Sequence, residues 1–272
     1  LTLAVEQFRD VEVGPTPHDE IDRLSLVYVQ MSRRLRGQIQ EIAEADEHRR
    51  EMVSNVSHDL RTPLAALQGY LETLQMKEGD LTPIQQREYV QSALRHSERL
   101  AMLVEDLFEL ARLESREVQV HAEPFSLAEL VQDVLQQHSL AAQKNGLLLE
   151  AGDGEDLPFV HADIGLIQRV LDNLIENAMR YTPPGGIISF ALMLEGDKVR
   201  VQILDTGSGI RPEDLPHIFE RFYRVPKQPD KPGCAGLGLA IAKRILELHD
   251  SNIHVESAPD QGTTFTFYLP TR

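Results

Sequence analysis

Thiol chemistry is almost absent from this 272-residue chain, in which Cys234 is the single cysteine. One thiol excludes an internal disulfide and a cysteine-rich zinc site, and the sequence is compatible with a reducing cytosol. Basic residues are also short: 27 Lys and Arg stand against 43 Asp and Glu, a net charge of −16. That deficit argues against nucleic acid as a partner, because a phosphate backbone needs a basic face. It argues equally against lying on an anionic membrane; its ordinary consequence is solubility and self-repulsion. Long apolar runs are missing, and none approaches the roughly 18 residues that cross a bilayer. No basic start followed by an apolar core marks a signal peptide. The first residue is Leu1 rather than Met, so the sequence is expected to be a piece of a longer protein. Over residues 1–120, proline occurs only at 15, 17, 63 and 83.

What is present is ordinary for a globular protein, with 42% hydrophobic and 26% charged residues. The length suggests two domains with a smaller third piece, and enough apolar material for a sizeable core. Strand signals are nearly missing before residue 123, after which β-rich runs alternate with helical ones. The expected fold is therefore multidomain: an all-α N-terminal half, then an α/β (α+β) half whose sheet carries helices on one face.

In the helical half, Gly14-Pro15-Thr16-Pro17 reads as a connector and His18-Asp19-Glu20 as a helix start. From there a long helix is expected to pass from one module into the next. Val53, Val56, Leu60, Leu67, Tyr70 and Leu74 fit heptad a and d positions, with Pro63 interrupting the series. A second run, Val90, Leu94, Ser97, Ala101, Val104, Phe108 and Ala111, follows the turn at 77–83. Together they predict an antiparallel helical hairpin. One hairpin has too little core to stand alone, so a homodimer with a four-helix bundle follows on packing grounds. In the second half, 147–150, 187–194, 199–204, 253–255 and 264–269 read as strands, and 127–142, 164–179 and 237–248 as helices.

With Leu60 at an a position, His58 falls at f, the most exposed position of a bundle, with Asp59 adjoining and Thr62 one turn on. A neutral imidazole beside a carboxylate can act as a nucleophile near pH 7. From these three residues alone, a plain solvated histidine is the more ordinary reading. A second group lies on the helix at 164–179, where Asn173, Asn177 and Arg180 line up opposite the apolar stripe of Leu171, Leu174, Ile175 and Ala178. Two amides and a guanidinium in one row suit a metal-bound polyphosphate. Asp205-Thr206-Gly207-Ser208-Gly209 follows a strand, where the carboxylate can accept from an adenine amino group and the glycines admit the ligand. Gly236-Leu237-Gly238 opens a helix whose N–H groups could face phosphates. Between them lie the aromatic-basic cluster Phe219–Arg224 and a Pro/Gly-rich stretch, 225–235, with the composition of a mobile lid.

Ser57-His58-Asp59-Leu60-Arg61-Thr62-Pro63-Leu64 resembles, residue for residue, the H-box of histidine kinases. The later runs resemble the N, G1, F and G2 boxes of the Bergerat-type ATP-binding fold in its histidine kinase version, in matching order and spacing. The resemblance covers 44–272 and implies a phosphotransfer and dimerisation domain at 44–122 and a catalytic ATP-binding domain at 123–272. Segment 1–43 looks like the later part of a HAMP linker. The implied roles are phosphoacceptor for His58, assistance to transfer for Asp59, and water positioning for Thr62. Asn177 would hold Mg²⁺. Asn173, Arg180 and Tyr181 would line the phosphate and nucleotide region, Asp205 and Thr263 would lie at adenine, and Arg224 near the γ-phosphate. Gly207, Gly209, Phe219, Gly236, Leu237 and Gly238 belong to the same boxes.

Two departures stand out. Gly233-Cys234-Ala235 lacks the hydroxyl usual before the G2 glycines, and Asp250-Ser251-Asn252 replaces a Gly-Gly, with Asn252 expected to take the left-handed turn. The resemblance implies a sensor histidine kinase of a two-component system. It would phosphorylate itself at His58 from ATP and pass the group to an aspartate of a response regulator, with phosphatase activity on that partner. It would be a homodimer, the cytoplasmic portion of a bacterial inner-membrane sensor whose transmembrane region lies upstream. The alternatives are an impaired dimeric scaffold and an ATP hydrolase of the same fold. The hydrolase needs a basic glutamate where Asn173 stands, and Glu176 is expected on the wrong side of the helix.

Overall fold

The computed structural model describes residues 20–77, 79–115, 118–152, 157–225 and 236–271. Within its first helix, side chains are described for 27–39, 56–57 and from 59 onward. The N-terminal connector, the stretch 226–235 and most of the expected linker's side chains lie outside this set. The chain divides into two compact units, Leu1–Asn55 and Val56–Arg272. Among the described residues no helix is long and apolar enough to cross a membrane.

Helix α1 runs Glu20–Met76 and contains Pro63; α2 runs Pro83–Glu114. The start of α2 is sharply specified. Thr82 accepts from the Gln85 backbone, Gln85 reaches back to the Thr82 N–H, and Pro83 occupies the first turn, where no N–H is needed. The turn before it needs Gly79, at φ +94°. The Tyr70 ring lies against Tyr89 and His96, at 5.9 and 5.7 Å, and joins the two helices of the hairpin. The buried positions of α2 are Ala93, Leu103, Leu110 and Leu113. Of the expected heptad run, Val90, Leu94 and Phe108 are exposed on the single chain, Phe108 by 73%. Thus α2 carries two apolar stripes, and only one is covered within the chain.

The second half holds β1 (Glu123–Phe125), α3 (Leu127–Lys144), β2 (Leu148–Ala151), β3 (Val160–Ala162) and α4 (Ile164–Tyr181). It continues with β4 (Ile187–Glu195), β5 (Lys198–Asp205), α5 (Gly238–Leu248), β6 (His254–Ser257) and β7 (Thr263–Pro270). Five strands form one sheet in the order β2-β4-β5-β7-β6, parallel only at β2–β4. Alternate residues of β4, β5 and β7 point to one side and are buried: Ile188 and Phe190; Val199, Val201 and Ile203; Phe265, Phe267 and Leu269. On them sits the apolar face of α4, where Ile167, Val170, Leu171, Leu174 and Ile175 are fully buried. Each such side chain contributes on the order of 1.5–3 kcal/mol. The two-stranded sheet β1–β3 has no counterpart among the expected strands. Strands of three residues, one containing Pro124, are too short to show a period. At the end of α5 the left-handed residue is Asp250, φ 52°, not Asn252. Ser251 is buried there, with its hydroxyl donating to the Tyr268 carbonyl at 2.6 Å, which fixes the turn two residues early.

Candidate active site

Where β5 ends against α4, a cavity of about 60 Å³ opens, lined among others by Asn177, Tyr181, Asp205, Gly209, Arg224 and Thr263. Burial pushes the Asp205 carboxyl above the usual carboxylate range, while backbone N–H groups of Gly207 and Thr263 oppose the shift. The Gly207 bond is 2.8 Å. A costly buried acceptor of this kind is typical of a ligand contact. Glycine is needed around it: Gly262, at φ +79°, passes so close to the Asp205 carbonyl that a Cβ would overlap it. A Cβ on Gly207 would meet Asp205 Oδ1 at 2.6 Å and the Tyr181 carbonyl at 2.8 Å.

A wider cleft of about 780 Å³ adjoins it, with Asn173, Arg180, Tyr181, Arg224, Gly236 and Gly238 on its walls. Asn173 and Arg180 face this cleft, and Asn177 faces the small cavity, so one helix serves both. Asn173 is only 7% exposed, and its Nδ2 has no hydrogen-bond partner. An orphaned buried amide costs about 1–3 kcal/mol, so its place on a cleft wall marks a position for a polar ligand. Gly238, the first residue of α5, leaves room beside it; a Cβ there would stand 3.1 Å from Asn173 Oδ1.

Arg224 lines both spaces and reaches α1, where its Nη2 donates to Asp59 Oδ2 at 3.1 Å. Asp59 is half-buried and Thr62, three residues on, is exposed. The His58 side chain is outside the described set, so its expected exposure is untouched by the structure. The joint is reinforced elsewhere. Arg169 on α4 binds Glu109 and Asp106 on α2, at 2.8 and 2.7 Å, and burial raises the Asp106 carboxyl. Arg221 pairs with Glu114, and Arg244 donates to the Leu113 carbonyl at 3.1 Å.

Not every expected residue converges. Phe219 packs edge-on against Phe265, ring centroids 6.3 Å apart, and Leu237 is fully buried in the core. Neither lines either cavity. Glu176 corrects the periodicity argument: it lies on the wall of the wide cleft with Asn173, because residues three apart share a helix face. Its surroundings are His138 and Asp106. His138 itself is not solvated; its Nε2 meets Asp172 Oδ1 at 2.9 Å, which raises the imidazole above its ordinary value. Tyr223 lines both cavities, and Asp214 binds it. No periodic or motif signal marks Asp214.

Residues 48–116 match the family model of the His Kinase A (phospho-acceptor) domain, and 162–272 that of the histidine kinase-, DNA gyrase B- and HSP90-like ATPases. The chain belongs to the sensor histidine kinase family. The chain is 37% identical over 284 residues to drug sensory protein A of Synechocystis, covering 98% of this chain and 43% of that protein. It is 34% identical to the sensor histidine kinase WalK of Bacillus subtilis, over 93% of this chain and 40% of that protein. The chain thus spans less than half the length of these curated relatives. Among solved structures, the Acinetobacter baumannii histidine kinase AdeS aligns with TM-score 0.62 and 28% identity, over 79% of this chain and 98% of that one. Histidine kinase ThkA, solved in complex with the response regulator protein TrrA, aligns with TM-score 0.67 and 26% identity, over 93% of this chain and 68% of that one.

Proposed function

We propose that this chain binds Mg·ATP between α4, β5 and α5 and transfers the γ-phosphoryl group to His58. The observation that carries this reading is Arg224, which lines the nucleotide cavities and pairs with the carboxylate next to His58. Asp205 and Thr263 hold adenine, with Gly207 and Gly209 admitting the ring. Asn173, Arg180 and Tyr181 face the phosphates, with Gly236, Leu237 and Gly238 turning the start of α5 toward them. Phe219 acts from the core behind. Among the described residues no cluster of three His, Cys, Asp or Glu could hold a metal. Asn177, through its amide oxygen, would hold a cation here together with the phosphate oxygens, an all-oxygen set that suits Mg²⁺. When bound, Mg²⁺ neutralises charge on the β- and γ-phosphates.

His58 Nε2 attacks the γ-phosphorus with its lone pair and the bond to the β-phosphate oxygen breaks. ADP leaves, and Asp59 accepts the Nδ1 proton of the resulting imidazolium. Arg224 stabilises charge on the group in transit. The phosphoryl group passes next to an aspartate of a separate response regulator, and Thr62 places a water for the reverse, phosphatase, reaction. The exposed stripe of α2 is the homodimer contact. Segment 1–43 is the end of a HAMP linker below an upstream transmembrane sensor, so that these domains lie in the cytoplasm. ThkA, a structural relative, was solved with a response regulator, and another, ShkA, with the ATP analogue AMPPNP, at TM-score 0.58 and 26% identity.

The hydrolase alternative rests on Glu176. An acid on a cleft wall could activate water, but this one lies among other acids, Glu105 and Asp106. A single-turnover experiment separates the two. Transfer gives ADP and an equal amount of phosphoprotein; hydrolysis gives free phosphate and an unmodified chain, which would refute the proposal. Binding without any turnover would favour the scaffold.

A further inference from the structure

Residues 211–224 contain no helix or strand, yet they deliver Arg224 to the site. Single turn bonds run along the segment: Asp214 N to the Arg211 carbonyl at 2.9 Å, His217 N to Asp214 at 2.9 Å, Glu220 N to His217 at 2.8 Å. Such bonds leave the far end of a loop weakly placed. Ile218 anchors the middle of this loop in the core, and one buried carboxylate, Asp214, ties its start to its end. Asp214 is 3% exposed, with Oδ1 accepting the Tyr223 hydroxyl at 2.6 Å and Oδ2 accepting Arg211 Nε at 2.8 Å.

Tyr223 is gripped a second time by the His217 ring, 5.4 Å away. Phe222, just before it, is left-handed at φ 61°, a conformation a bulky residue keeps only when its surroundings impose it. Its N–H donates to the Gly236 carbonyl at 3.0 Å. Gly236 sits so close that a Cβ would meet the Tyr223 carbonyl at 2.8 Å. The Tyr223 hydroxyl bond holds the Asp214 carboxyl below its usual range, and Asp214 in turn raises the tyrosine.

We propose that Asp214 is a positioning residue, whose buried carboxylate fixes the Tyr223 hydroxyl and thereby sets where Arg224 stands against Asp59. The kinetic side of this inference rests on the phosphoryl-transfer reading above; the structural side does not. The nearest charged groups on the loop are Arg211, Glu213, His217 and Glu220. Arg211 is shared with Glu213 at the surface, so the tyrosine is the partner that faces the site.

The test is Tyr223→Phe, which keeps the ring on His217 and removes only the hydroxyl. Hydrogen exchange by mass spectrometry is read on the peptide covering 221–225. Exchange there is expected to rise about tenfold, corresponding to one lost hydrogen bond, with β5 peptides unchanged. Single-turnover transfer is expected to slow about tenfold, with KM for Mg·ATP within about threefold of the parent. In an Arg224→Ala background, Tyr223→Phe is expected to slow transfer no further. Unchanged exchange at 221–225, or a full additional loss in the double variant, would overturn the proposal. A parent without transfer activity would refute the kinase reading instead, and the exchange result would still decide whether Asp214 holds the loop.

Discussion

Arg224 Nη2 and Asp59 Oδ2 meet at 3.1 Å although 165 residues separate them in sequence. The guanidinium belongs to the wall of both cavities and the carboxylate to the helix that carries His58. The pair is partly solvated, 29% and 17% exposed, so its own contribution to stability is small, about 0–1 kcal/mol. Its value lies in placement. Arg224→Ala is expected to lower the single-turnover rate on the order of 10²-fold, the usual cost of losing one transition-state donor. Equilibrium ATP affinity should move by less than tenfold. A loss confined to affinity would show that Arg224 only binds nucleotide.

Asp205→Asn separates binding from stability. Burial raises the Asp205 carboxyl in the folded chain, so the fold favours its neutral form and the ionised form costs stability at pH values above the unfolded carboxyl's range. An amide removes that cost and still accepts from the Gly207 N–H. Thermal unfolding at neutral pH is expected to show the variant as stable as the parent or more so, by about 1 kcal/mol. The difference should close as the pH falls below about 4, where the parent is neutral as well. ATP affinity should drop. A variant several degrees less stable at neutral pH would contradict the assignment.

Much of this site is legible in the sequence because it rests on periods. The stripe of α4 and the alternation of β4, β5 and β7 follow directly from residue spacing, and they place Asn173, Asn177 and Asp205. Other features have no period to read. The β1–β3 ladder is three residues long on each side. Asp214 meets Tyr223 through an irregular segment, where spacing predicts nothing. Periodicity misplaced Glu176 and left one stripe of α2 unread. Glu176 shares a cleft with Asn173, and α2 has a second stripe, Ala93–Leu103–Leu110, beside the expected one.

That expected stripe gives a third outcome. Val90, Leu94 and Phe108 lie open on the single chain, and a contiguous apolar face on a helical hairpin is suited to a second copy. Phe108→Asp is expected to shift a dimer toward monomer in sedimentation velocity by at least about tenfold in dissociation constant. A parent that is already monomeric would remove this role for the stripe.

His138 supplies a pH dependence. Its hydrogen bond to Asp172 chiefly raises the imidazole, against the opposing effect of burial, and Glu176 adds to the rise. A raised histidine stabilises the fold fully below its unfolded value, about 6.5, and loses that contribution as pH rises through the folded one. His138→Gln is therefore expected to be less stable than the parent at pH 5.5–6, on the order of 1 kcal/mol. The gap should narrow progressively above neutral pH. A gap that widens with pH would reverse the assignment.

The most direct measurement is label transfer from γ-labelled ATP with Mg²⁺, comparing the parent with His58→Gln. The parent is expected to take up label that is stable in alkali and lost in acid, as a phosphohistidine is, and the variant none. Label in His58→Gln, or a parent that binds ATP and remains unlabelled, would contradict the assignment of His58 as the phosphoryl acceptor.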